Sequence, residues 1–390
     1  MKLPKKTSQL IALTIVLSSG IMLILFAYSD HIIHKRNSFK RLFPSHPILF
    51  AHQLDLKLNS FYFAGHGKQS VYLSNLTAPL YLVQADLPNL DTTVIRLRTN
   101  LPKTNLLRSQ TKLAILPPNF YVLDGVTPRI LQGTLDTGIA SSVLEQPTYF
   151  STATPVDKQE IAIRAVSTKT HEYELGKITL NPYKTTLTSG IITAQKEGIF
   201  SKDGILHFNQ QRKQLIYTYR YRNEYLIVDN ELLKWKIGHT IDTNKIAKIG
   251  INTSNEKTLQ KMNTPPLVTN KFSATYGDYL FVCSNLMAQN EKRDRFKNND
   301  VIDVYHLEKQ TYEFSFYIPN YIGNPVNDFT VTSMGLVALH HHYIVIYQMA
   351  PKLFPFITKT KKIEHTMAIV QEERATNLYK ENKPLSLTKN

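Results

Sequence analysis

Gln214-Leu215-Ile216-Tyr217-Thr218-Tyr219-Arg220-Tyr221, then Arg222-Asn223, then Glu224-Tyr225-Leu226-Ile227-Val228 is the stretch that sets the fold class. Apolar and polar residues alternate on both sides of a two-residue turn, the pattern of an exposed antiparallel hairpin. Leu233 to Ile241 continues the meander after Asp229-Asn230. The plan recurs downstream: Val301 to Leu307 and Tyr312 to Ile318 flank the turn Glu308 to Thr311, and Leu336 to Leu339 precedes Tyr343 to Met349. Upstream, Tyr62 to Ala64, Val71 to Ser74 and Pro79 to Gln84 are broken by Gly65-His66-Gly67 and Asn75, and Val94 to Arg98 follows. Leu113 to Leu116, Phe120 to Leu123 and Arg129 to Gln132 are separated by Pro117-Pro118 and Asp124-Gly125, and Ile161 to Val166 and Tyr173 to Leu180 flank Ser167 to His171. Long meanders with few helices predict an all-β architecture.

Six such units begin near Phe61, Leu113, Tyr149, Ile205, Ala274 and Phe329. Their spacing is uneven, but its average suits a four-stranded blade of roughly 40 to 50 residues with loop insertions. Val71-Tyr72-Leu73-Ser74-Asn75-Leu76 is echoed by Phe281-Val282-Cys283-Ser284-Asn285-Leu286. Six meanders around one axis are therefore expected. Strand-and-turn phrases such as Phe120 to Gly125, Ser201 to Leu206 and Val301 to Tyr305 resemble blades of six-bladed β-propellers of the TolB-like and NHL-like group, over about residues 50–350. None of these phrases is diagnostic of an activity, and the sialidase-type box is missing, since Trp235 is the only tryptophan and lies elsewhere. The resemblance implies either a binding scaffold or an exported hydrolase.

Leu10 to Tyr28 is an uncharged, largely apolar run of 19 residues behind Lys2, Lys5 and Lys6. A hydrocarbon core about 30 Å thick needs roughly 20 helical residues, so the run reads as a signal anchor with a single N-terminal span. Ala27-Tyr28-Ser29 supplies the alternative, cleavage near Ser29 and secretion. Basic residues stand on both sides, with Lys35, Arg36, Lys40 and Arg41 after the run, so charge decides orientation weakly. The strand-rich remainder favours an extracytoplasmic body, periplasmic or at the cell surface. Cys283 is the only cysteine, which excludes an internal disulfide and a lipoprotein-type attachment. The expected organisation is an anchor over 1–30, a solvated basic juxtamembrane linker over 31–44, a monomeric propeller body over 45–350 and an extension over 351–390. That tail forms a broken helix or supplies the last strand that closes the ring.

A hydrophobic content of 42% with 10% aromatics belongs to a folded body. The net charge of +16 draws polyanions. Its scatter along the chain, without a recognition helix or zinc pattern, excludes a nucleic-acid reader. His340-His341-His342 can bind a transition metal, but it sits where a hairpin turn belongs, which places the rings in solvent, and no nearby carboxylate completes a site. Asp203, His207, Asp229, His239 and Asp242 can gather at one propeller mouth for calcium binding or acid–base work. Tyr217, Tyr219, Arg220, Tyr221 and Arg222 can offer aromatic and cationic groups to a sugar or acidic partner, against a plainer role covering an outer strand. No cofactor is expected. The chain reads as a non-enzymatic, membrane-tethered binding or scaffolding module for a protein or glycan, with an exported metal-dependent hydrolase as the alternative.

Overall fold

The structure is a computed structural model that describes residues 5–33, 38–99, 111–143, 148–195, 199–253, 260–262 and 265–357. Six sheets surround a central axis, antiparallel except where Ile139–Ser142 pairs parallel with Arg98–Thr99. The inner strands, in chain order, are Phe61–His66, Lys112–Leu116, Thr152–Pro155, Gly204–Asn209, Asn270–Tyr276 and Asp328–Thr332, and they define blades 1 to 6. Each lies beside the next, and the inner strand of blade 6 meets that of blade 1. The protein is a six-bladed β-propeller.

The second strands explain why the sequence reads as apolar runs there. Ser70–Asn75, Asn119–Asp124 and Gly335–His340 are buried along their whole length. A neighbouring blade covers each face, so both sets of alternating side chains must be apolar or internally satisfied. The core is correspondingly divided into clusters between adjacent blades. Leu113, Phe120 and Leu82 join blades 1 and 2, Ile216, Tyr225 and Val282 join blades 4 and 5, and Val71, Leu73 and Val337 join blades 1 and 6.

Ring closure departs from the expected use of the C-terminal tail. The outer strand of blade 6 is Ile48–Asp55, which pairs antiparallel with Tyr343–Met349. A strand from before blade 1 thus completes the last blade, leaving no open gap between first and last units. Of the expected extension, residues 351–357 pack on the body: Phe354 is buried against Phe281, Phe314 and Phe316. The expected helix over 364–380 lies outside the described residues.

The expected solvated linker is also corrected. Residues 38–43 are docked against blade 5 and the end of blade 4. Phe39 is buried with Leu286, Ala288 and Ile241, while Phe43 stacks on Tyr317 at 4.7 Å. The Arg41 side chain has no exposure at all. Its Nε and Nη2 donate to the two oxygens of Asp303 at 2.7 and 3.0 Å, and its Nη1 donates to the Leu286 carbonyl at 2.8 Å and to Glu291. Burial alone would lower the Arg41 pKa; Asp303 and Glu291 outweigh it, and the net direction is up. A basic residue that sequence reasoning assigned to water is held by two buried carboxylates.

The N-terminal helix spans Lys5–Ile33. Among the described residues, whose side chains in this helix run no further than Leu25, no helix is long and apolar enough to cross a membrane.

Candidate functional site

Inner strands that all run the same way place their first residues around one mouth of the channel. Lys112, Thr152 and Asp328 open their strands there, and Lys271 is the second residue of its strand. Arg220, in the loop between the second and third strands of blade 4, reaches the same rim. These residues line a channel cavity of about 490 Å³ that carries three cations, Lys112, Arg220 and Lys271, against one carboxyl, Asp328. Beside it, a cavity of about 300 Å³ lies under the short helix Arg293–Lys297 of blade 5, and Lys271 lines both.

The three cations are held differently. Arg220 pairs through Nε with Asp203 at 3.3 Å, and Asp203 in turn accepts from Arg164 at 2.7 Å. Lys271 is paired with buried Asp300. Lys112 forms no salt bridge among the described residues and lies 5.9 Å above the Tyr62 ring. It is the cation with the most capacity for an incoming anion, because no carboxylate has to be displaced.

Asp328 is the counterpart. Burial raises its pKa from 3.8 to about 6, although the Phe63 and Phe329 amides donate to it and Lys112 pulls the other way. The ionised form is thus disfavoured in the fold. The destabilisation is full above about pH 6 and absent below about pH 4. A shift of about two units corresponds to about 3 kcal/mol, reduced to about 1–2 kcal/mol because the group faces an open channel. Asp328→Asn should therefore stabilise the protein by about that amount at pH 8 and not at pH 4, read from urea midpoints at both values. A gain independent of pH would refute the assignment.

His207 lies deeper in the channel, its Nε2 3.0 Å from Ser273 Oγ. Burial pushes its pKa down to about 4, so the ring is neutral at pH 7. As a general base it is about three units too weak at that pH, and no carboxylate orients its other nitrogen among the described residues. Among the described residues no group of three or more His, Cys, Asp or Glu side chains converges as a metal site.

The candidates drawn from sequence scatter. Tyr217 and Tyr219 are buried between blades 3 and 4 rather than covering an outer strand. The Tyr217 hydroxyl donates to the Lys202 carbonyl, and the Tyr219 hydroxyl accepts from the Thr193 amide. The strand ends at Tyr219 and resumes at Glu224, so the turn is longer than Arg222-Asn223. Tyr221 and Arg222 are buried, and Arg222 lies 3.6 Å over the Tyr219 ring and pairs with Glu224. Asp229 accepts from the Leu233 and Lys234 amides in a turn, Asp242 is buried in bonds to Thr240 and Asn244, and His239 is exposed at the end of the outer strand. Of these groups the channel brings together His207 and Arg220, with Asp203 behind the latter.

The histidine triplet also divides. His341 and His342 form the turn, as expected, with His342 Nδ1 2.7 Å from Asp55. His340 does not reach solvent. It closes the second strand of blade 6, fully buried, and contacts the Asn324 carbonyl at 3.1 Å, because a residue paired with Tyr343 across a two-residue turn still belongs to the sheet.

Lys112, Lys271, Ser273 and Asp328 were missed as site residues. The signal lay in their position: Lys112 and Asp328 stand at the start of units already recognised, and unit starts lie at the mouth once the ring closes.

No family model matches the sequence, and no curated protein matches it. Among solved structures, one from a nidogen/laminin complex aligns at 10% identity over 66% of this chain and 79% of that one, with a TM-score of 0.39. A member of the DUF4221 family from Bacteroides vulgatus aligns at 11% identity over 81% of this chain and 99% of the other, with a TM-score of 0.47. The fold assignment rests on the strand pairing itself.

Proposed function

We propose that this protein is a membrane-tethered, non-enzymatic binding module whose propeller body lies outside the cytoplasm and holds an anionic group of a protein or glycan partner at the channel mouth. The observation that carries the reading is the rim itself, three cations from three blades facing one carboxyl that is only weakly acidic. Such a site attracts and orients an acid. Without a base of suitable pKa it has little means of breaking a bond.

The tether is supported by the 19-residue apolar run and by eleven large apolar side chains from Leu10 to Leu25 that stay 46–75% exposed along the helix. Moving each from water into lipid is worth roughly 1.5 kcal/mol or more. The chain is expected to stay with membranes through a high-salt wash; a soluble product beginning at Asp30 would identify cleavage near Ser29 instead.

Ligand binding is tested with the full-length chain in detergent, titrated with polygalacturonate fragments and with aspartate-rich peptides. The expected result is a Kd that weakens steeply with salt and by roughly tenfold or more in Lys112→Gln with Arg220→Gln. Equal binding by parent and double variant would remove the channel mouth as the site.

A further inference from the structure

The outer strand of blade 4, Trp235–His239, differs from the other blade edges. Leu233, Trp235 and Ile237 are 74%, 40% and 49% exposed, and they recur at every second position. Trp235 and Ile237 stand opposite buried Val228 and Leu226, so they continue the core between blades 3 and 4 outward into solvent. Exposed Lys234 and Lys236 alternate with them, and the nearest acid in sequence, Glu231, is paired with Lys177 at 3.6 Å. The outer strand of blade 1, Asp91–Arg96, exposes one large apolar residue, Val94, and that of blade 5, Thr311–Pro319, is overlaid by Leu42 and Phe43.

The route of the chain relates this edge to the N-terminal helix. Ile241, two residues beyond the strand, packs against Phe39. Five peptide steps separate Ser38 from Ile33, the last helical residue, so the helix end lies within about 19 Å of Ser38. We infer that the blade 4 edge rests on an anionic bilayer surface, with Trp235 at headgroup level, Leu233 and Ile237 in the acyl boundary and Lys234 and Lys236 on lipid phosphates. This rests on the tether proposed above. A docked edge would fix the channel relative to the membrane instead of leaving the body to swing.

Trp235 is the only tryptophan, so emission excited at the red edge of the absorption band, beyond tyrosine, reports on this edge. The full-length chain is reconstituted into vesicles of phosphatidylcholine with phosphatidylglycerol, with and without bromine on the acyl chains near the headgroup. The expected result is at least a twofold loss of emission in brominated vesicles, reduced in pure phosphatidylcholine and in Lys234→Glu with Lys236→Glu. Protein that floats with the vesicles but keeps full emission overturns the docking alone. Protein that does not float overturns the tether as well. A blue shift that grows with protein concentration in detergent, with no quenching in brominated vesicles, assigns the edge to a second copy and overturns the lipid assignment.

Discussion

Replacing Arg41 by methionine in the full-length chain should lower folding stability by about 3–5 kcal/mol, a large part of the 5–15 kcal/mol typical of a folded domain. The loss comes from what remains. Asp303 keeps its bond from Ser315 at 2.5 Å, and Glu291 keeps those from the Ala288 amide at 2.6 Å and Tyr317 at 2.5 Å, but neither retains a guanidinium. Two buried carboxylates within one pocket must then ionise without a counter-charge or take up protons. The deficit should shrink when Asp303→Asn and Glu291→Gln are added, which identifies the buried charge rather than lost packing as its source. Urea midpoints of the parent, Arg41→Met, Asp303→Asn with Glu291→Gln, and all three substitutions together measure this. A loss below 1 kcal/mol for Arg41→Met would show the pocket to be open to water. By the same logic, a chain trimmed to begin at Ser38 should be clearly more stable than one trimmed to Phe43, although the shorter one retains every strand of the propeller.

Deleting Ile48–Asp55 should abolish soluble folded protein, whereas ending the chain after Ile357 should leave the melting temperature almost unchanged. The deletion removes the strand that pairs with Tyr343–Met349 over seven register positions. It also uncovers the blade 6 core where Ile48 packs, and leaves a long apolar edge to pair with other chains. Among the described residues, the strand that closes the ring is Ile48–Asp55, paired with Tyr343–Met349. Expression, gel filtration and thermal melting of the two truncated chains decide the matter, and a folded monomer from the first would show that blade 6 closes with three strands.

The blades were legible because each is local: a meander of four neighbouring strands writes its turns and apolar runs into consecutive residues. The six expected starts fall at or within a few residues of the inner strands, as Phe61 and Ile205 show. Closure was not legible, since the partner of Tyr343–Met349 lies some 290 residues earlier and has no sequence signal that distinguishes it from a leader to blade 1. His340 was misplaced for a related reason. Local turn chemistry sets the backbone at His341 and His342, while burial of the residue before the turn depends on Asn324, in the segment linking blades 5 and 6, and on Tyr347 beside it. Tyr217 and Tyr219 alternate as an exposed strand would, yet a neighbouring blade covers them.

The sequence by itself determined the apolar N-terminal run, the all-β class, the count of six units and the excess of positive charge. These are properties of composition and of short-range period, which need no knowledge of distant partners. Only the tertiary structure decided where that charge acts. Arg41 and Lys112 look alike in sequence, each a basic residue before an apolar one. Folding takes the first 262 residues along the chain to Asp303 and buries it, and leaves the second at a channel mouth with no salt bridge among the described residues. The difference is solvent exposure and counter-charge, both set by chain segments remote in sequence.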